Sequence, residues 1–246
     1  MFSFKKTKNS IRIAKIKGGK KDGQFIYIND DGKGVDEIIL KEGKITPLPK
    51  KKIVEKVYIS APSGAGKSTY AGNYIKEYRK MFKDDFIFLV SAIREDEALD
   101  KFDPIRVDIE EEILKDPLDP YEIENSLMVF DDTDTITDNQ VNNSVVKFRD
   151  YLLECGRHHN IRMLITSHLL SNYKATRKIL NEATSIVVFP RASGTYHIKR
   201  YLKTYCGFTD EEIKKFINLP SRWVCIDRTY PMFVIYEKGC YIPGIE

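Results

Sequence analysis

Residues 54–68 read V-E-K-V-Y-I-S-A-P-S-G-A-G-K-S. Val54–Ser60, with Val57, Tyr58 and Ile59 at its centre, predicts a strand, and helical periodicity begins at Lys67. Tyr70, Tyr74, Tyr78 and Phe82 recur every fourth residue, which predicts a helix over Lys67–Phe82. Between strand and helix lies a glycine-containing loop. Gly64 and Gly66 let the backbone curl so that successive N–H groups point inward at an anion, and the helix N-terminus adds its positive end. Pro62, Ser63, Gly64, Ala65, Gly66, Lys67, Ser68 and Thr69 therefore form a phosphate-binding loop in its required strand–loop–helix context. Lys67 is placed to reach the β- and γ-phosphates, and Ser68 to offer its hydroxyl to Mg²⁺. Ala61 stands where such loops usually carry Gly, and it fits if its φ stays negative.

Residues 127–132, L-M-V-F-D-D, supply an apolar strand ending in two acids. Asp131 is suited to hold Mg²⁺ through its water shell, and Asp132 to polarise an attacking water. Asp132 is one methylene shorter than the Glu that many water-activating enzymes use there. A strand at Phe86–Ser91, with a possible second near Ile105–Val107, lies between loop and acids. That arrangement suggests a P-loop NTPase of the RecA/ASCE-like kind, which inserts a strand between its two motifs. The expected fold class is α/β, with a mainly parallel sheet, flanking helices, a small N-terminal β element and a C-terminal β-hairpin. No tetrad for reading guanine is present, so ATP is the expected nucleotide.

Downstream, a helix is expected over Asn139–Cys155. Its apolar face is Val141, Val145, Phe148 and Leu152, its start a capping box Thr137-x-x-Gln140, and its stop Gly156. A strand over Arg162–Thr166 should leave the sheet at Thr166, Ser167 and His168. In a parallel sheet these carboxyl ends face the nucleotide crevice. Thr166 or Ser167 could then sense the γ-phosphate, whereas His168 reads better as a hydrogen-bonded strand-end histidine than as a base. Arg157 begins that strand and should lie at the opposite edge. It would reach a neighbour's nucleotide more easily than its own, with Arg149 and Arg191 as reserves. His158 and His159 read as surface residues. A strand at Ser185–Phe189, a helix capped by Thr209-x-x-Glu212, and a hairpin of Trp223–Asp227 with Met232–Tyr236 complete the chain.

The 246 residues, 42% hydrophobic and 31% charged, fit a globular protein and exclude wholesale disorder or a coiled coil. No apolar run approaches the ~20 residues of a membrane span, and Met1–Gly19 has no secretory apolar core. Cys155, Cys206, Cys225 and Cys240 read as reduced and structural, and no histidine sits at zinc-ligand spacing from them. Residues 1–52 hold 14 Lys+Arg against 6 Asp+Glu, or +8, and the remainder 26 against 30, or −4. This basic arm suits either a polyanion or a solvated Lys-rich sheet edge. Turn signals at Gly18-Gly19, Asp22-Gly23 and Asp31-Gly32 predict a small antiparallel meander in it. The expected domains are residues 1–50, the basic β-rich element, and 51–246, the ATPase domain with its terminal helix and hairpin at about 205–240.

The chain resembles the FtsK/HerA superfamily of DNA-pumping ATPases, and within it the genome-packaging ATPases of large DNA viruses (the poxvirus type) and of virophages. The residues that carry this are A-P-S-G-A-G-K-S (61–68), M-V-F-D-D (128–132), E-C-G-R-H-H-N-I-R-M-L-I-T-S-H (154–168), I-V-V-F-P-R-A-S (186–193) and L-P-S-R-W-V (219–224). Coverage is about residues 53–240. The resemblance implies a homo-oligomeric ring, pentamer or hexamer, around double-stranded DNA. It implies an arginine finger near Arg157, given in trans, and a sensor at Thr166 or Ser167. A capsid or portal partner, no membrane, and a place in the viral factory of the host cytoplasm or in the virion follow from the same likeness. Candidate DNA contacts are Lys174, Arg177 and Lys178, with a second basic stretch at Arg191, Lys199, Arg200 and Lys203. Lys and Arg there would grip phosphates without reading sequence, though either stretch can equally be a solvated face. The alternatives are a P-loop phosphotransferase acting on a small acceptor and a nucleotide-binding adaptor with feeble turnover.

Overall fold

A computed structural model describes residues 1–29, 32–172 and 175–244. The chain divides into two compact units, Met1–Ile53 with Thr184–Glu246, and Val54–Ala183.

The first unit opens with β1 (Phe2–Ser3), β2 (Ile11–Lys17), β3 (Phe25–Ile28), β4 (Glu37–Ile39) and β5 (Lys44–Pro47). Four of these make an antiparallel sheet in the order β1-β3-β2-β5, so β2 and β3 pair as expected, but β1 and β5 flank them out of sequence order and the sheet is not a meander. Past an irregularity at Arg12–Ala14, alternation decides the faces of β2: Ala14 and Ile16 are buried while Lys15 and Lys17 point to water. Part of the N-terminal positive charge is therefore the solvent face of a small sheet. Lys50, in contrast, is buried and ion-paired with buried Asp227, which also accepts from the Ser185 hydroxyl at 2.9 Å.

The second unit is an α/β layer. In chain order it holds β6 (Lys56–Ser60), α1 (Lys67–Met81), β7 (Phe86–Ser91), α2 (Glu97–Asp100), β8 (Ile105–Arg106), a π-helical stretch (Ile109–Lys115), β9 (Ser126–Asp131), a 3-10 turn (Thr133–Thr135), α3 (Asn139–Cys155), a second 3-10 turn (Gly156–His159), β10 (Ile161–Ser167) and α4 (Arg177–Glu182). Its strands are parallel in the order β6-β10-β9-β7-β8. The strand before the loop and the strand bearing the acids are thus separated by one strand, as expected for a RecA/ASCE-like NTPase. Every residue of β6, β9 and β10 is buried, which is why they read as continuous apolar runs without alternation. The tyrosine stripe of α1 packs inward. Its phenols stay satisfied because Tyr74 donates to Glu55 at 3.0 Å and Tyr78 to Asp85 at 2.6 Å.

One local expectation is corrected here. The cap of α3 is Asp138, whose carboxylate accepts from the N–H groups of Gln140 and Val141 at 2.9 Å each, so Thr137 is not the cap. Asp reaches N2 and N3 from the residue adjoining the helix, which Thr137, one residue earlier, does not. Gly156 caps α3 as expected, the α-helix ending at Cys155. It stays right-handed at φ −55°, the backbone tightens into the 3-10 turn, and Asn160 takes the left-handed conformation at φ 53°.

The first unit resumes with β11 (Ser185–Val188), α5 (Thr195–Tyr205), α6 (Asp210–Ile217), β12 (Val224–Asp227), β13 (Phe233–Tyr236) and β14 (Gly239–Tyr241). These strands run antiparallel as β11-β12-β13-β14-β4, so N-terminal β4 pairs with the last strand. The capping box of Thr209 and Glu212 on α6 is formed as expected. All four cysteines are free. Among the described residues no helix is long and apolar enough to cross a membrane.

Candidate nucleotide site

The loop between β6 and α1 takes the conformation its glycines permit. Gly64 has φ 74° and Gly66, the residue before the helix, φ 113°. Side chains other than glycine are strained there. The first turn of α1 holds no acidic residue, so nothing neutralises its positive end. Pro62, Ser63, Gly64 and Thr69 are exposed, Ala65, Gly66 and Ser68 half-buried. Ala61 is buried and donates its N–H to the Ser167 carbonyl at 3.1 Å, tying the start of the loop to the end of β10.

Lys67 is 5% exposed, and its ammonium donates to the Ala61 carbonyl at 3.1 Å. It also lies 3.4 Å from Asp132 Oδ1. The parallel pairing of β6, β10 and β9 delivers the loop, Thr166 with Ser167, and the acids to the same sheet edge. The Thr166 hydroxyl lies 2.8 Å from Asp131 Oδ1 and 3.0 Å from Asp132 Oδ1, and can donate to one at a time. It accepts the Asp132 N–H at 2.9 Å. Thr166 is therefore the pivot of the acid pair.

Asp131 is buried, and that burial, with Asp132 adding in the same direction, pushes its carboxyl up to about 6 against the opposing Thr166 hydrogen bond and Lys67. Asp132 has φ 44°, a left-handed conformation that Asp tolerates better than most residues and that marks a constrained site. Oxygen donors from Ser68 and the buried carboxylate of Asp131 suit a hard cation such as Mg²⁺.

Ser167 is not free to point at a nucleotide. Its hydroxyl donates to Asp134 Oδ2 at 2.9 Å, and the His168 N–H donates to the same oxygen at 3.0 Å. Asp134 was not singled out in the sequence. The one signal for it is the Asp132-Thr133-Asp134 spacing straight after an apolar strand. His168 faces Asp132 and Asp134 at 3.6 Å each.

Arg157 is exposed on the 3-10 turn that launches β10, at the strand end away from the loop. Arg149, a reserve candidate, is buried and paired with Asp150, with a further hydrogen bond to the Ala175 carbonyl. Arg191 is exposed. Of the candidate DNA contacts, Arg177 is exposed, Lys178 is held by Glu154 at 2.9 Å, and Lys174 lies outside the described residues.

The strand order and the loop between β6 and α1 give the chain a P-loop NTPase fold, the fold class that the sequence led one to expect. No family model matches the chain. The uncharacterised protein V3 of the Sputnik virophage is 40% identical over 235 residues, covering 94% of this chain and 95% of its own length. The chain belongs to the same family as that virophage protein. Among solved structures, the genome packaging NTPase B204 of Sulfolobus turreted icosahedral virus 2, in complex with AMPPCP, aligns with a TM-score of 0.51 at 14% identity over 75% of this chain and 97% of that one. The pCW3 conjugation coupling protein TcpA, with ATPγS, aligns with a TM-score of 0.53 at 10% identity over 93% and 77%. At these identities the likeness is one of fold.

Proposed function

We propose that this protein is an ATP-hydrolysing motor that translocates double-stranded DNA and packages a viral genome. The observation that carries the reading is the convergence of Lys67, the Asp131–Asp132 pair and Thr166 at the carboxyl ends of three adjoining parallel strands. The relationship to a virophage protein, and a fold shared with a packaging NTPase and a conjugation ATPase, support the DNA-moving part.

In this reading the loop N–H groups of residues 62–69 bind the phosphates and Lys67 bridges the β- and γ-phosphates. Ser68 and Asp131 would hold Mg²⁺, which when bound supplies positive charge to the phosphate oxygens. Asp132, fixed by Thr166 and Lys67, orients the attacking water. Arg157, at the far end of β10, serves a neighbouring subunit's site, so the working form is a ring. An arginine so delivered is worth roughly 10³-fold or more in phosphoryl transfer. Arg177, with Lys174 and Lys178, is the proposed grip on DNA phosphates, and the motor acts with a capsid or portal in the host cytoplasm.

The test is steady-state ATP hydrolysis with and without long double-stranded DNA, at low and physiological salt. Stimulation by DNA of any sequence, weakening as salt rises, is expected. Lys67→Ala should abolish hydrolysis with the fold retained. Turnover that ignores both DNA and capsid proteins would instead favour phosphotransfer to a small acceptor.

A further inference from the structure

The imidazole of His168 stands between two carboxylates. Nε2 is 3.6 Å from Asp132 Oδ2 and Nδ1 is 3.6 Å from Asp134 Oδ1. A neutral imidazole carries one N–H, so it can donate to only one of them, and its other nitrogen then turns a lone pair toward an acid. Asp134 is the better fixed acceptor. Its Oδ2 is already held by the Ser167 hydroxyl and the His168 backbone N–H, which leaves Oδ1 for the ring. With Nδ1–H on Asp134, Nε2 is left open on the Asp132 side. Asp132 Oδ1, meanwhile, is engaged by Lys67 at 3.4 Å and Thr166 at 3.0 Å.

We infer that His168, oriented by Asp134, accepts the proton of the attacking water, and that Asp132 holds this water without keeping its proton. The inference rests on the reading of the site as an ATPase. In the step, the water oxygen bonds to the γ-phosphorus as the bond from that phosphorus to the β–γ bridging oxygen breaks, giving ADP and phosphate. The water's proton passes to Nε2. The imidazolium so formed donates one N–H to Asp132 Oδ2 and the other to Asp134 Oδ1, and the mismatch of the neutral ring disappears. The side chain is 32% exposed, so the proton returns to solvent after turnover. The separations of 3.6 Å are those of an open site, and such contacts shorten when substrate is bound. The arrangement also answers the short reach of Asp132, because the imidazole extends it. Asp134 is a positioning residue, holding the tautomer as a third group orients a catalytic histidine elsewhere.

The test pairs steady-state ATP hydrolysis by the full chain with equilibrium binding of a slowly hydrolysed ATP analogue. His168→Gln and His168→Ala should each lower kcat by about 10²-fold or more while analogue affinity stays unchanged, which also shows that the variants fold. Asp134→Asn should lower kcat less, and should add nothing in the His168→Gln background. Free imidazole should raise turnover of His168→Ala and leave Lys67→Ala inactive. Near-normal kcat in His168→Gln, with Lys67→Ala dead, would overturn the proton assignment alone, since glutamine keeps a hydrogen bond but takes no proton. An undiminished Asp134→Asn effect in the His168→Gln background would overturn the orienting role. Absence of hydrolysis by the wild type, or normal hydrolysis by Lys67→Ala, would instead sink the ATPase reading beneath it.

Discussion

Asp131 is asked to be both buried and charged, and its surroundings only partly allow this. Burial is the largest cause of its raised pKa, up to about 6, and Thr166 and Lys67 offset it incompletely. The folded protein thus holds this proton more tightly than the unfolded chain. The associated stability is complete below about pH 4, the ordinary aspartate range, and is lost as pH rises through about 6. Asp131→Asn keeps the group neutral throughout. In urea melts without metal or nucleotide, the variant should gain on the wild type by on the order of 2–3 kcal/mol between pH 4 and pH 7. Mg²⁺ with nucleotide should shrink that difference. A difference independent of pH would mean that folding does not raise the pKa of this carboxyl. At this scale the sequence was legible where chemistry follows chain order. Lys67, Ser68, Asp131 and Asp132 stand out from loop and strand end alone. Asp134 does not, because its role arises from a contact with Ser167 and His168, 33 and 34 residues on.

Element boundaries follow from similarly local contests. Helix α3 begins where a side chain can satisfy its first free N–H groups, and Asp138 does so for two of them. Asp138→Ala should therefore cost about 1 kcal/mol, whereas Thr137→Ala should stay within about 0.5 kcal/mol of wild type in the same denaturation assay. The reverse order would restore Thr137 as the cap. The buried parallel strands were readable as apolar runs ending at Ser60, Ser91 and the acid pair, because a strand covered on both faces has no polar side to show. Strands β4 and β14 were not, since each is three residues long and gains its meaning from pairing with a segment about 200 positions away. The basic N-terminal arm was legible as charge, but only the pleat of β2 shows which lysines meet water.

For the whole molecule, the test of ring action is complementation. Arg157→Ala has an intact loop and lacks the finger, while Lys67→Ala lacks the loop lysine and keeps the finger. Each alone should be inactive, and a mixture should recover part of the turnover because one variant repairs the other's site. No recovery at any ratio would argue against delivery in trans. A plot of log DNA affinity against log salt should be linear, and Arg177→Ala should make its slope shallower by about one phosphate contact. The alternation of strands and helices after Val54 announced this fold early, whereas the sharing of one unit by residues 1–53 and 184–246 leaves no local trace in the chain.

Strand β10, seven buried residues long, pairs with β9 over Ile161–Ile165 and with β6 over Met163–Ser167. Its length is about 20 Å. One end carries the Thr166–His168 cluster beside the phosphate loop, and the other the turn that displays Arg157. The middle of the strand, Met163–Ile165, is clamped on both sides, so in the proposed ring a shift at one tip would carry toward the other. Departure of a γ-phosphate from one pocket would then be felt at an adjoining subunit as a change in where its arginine arrives, which gives successive firing around an assembly a mechanical clock with no further moving part.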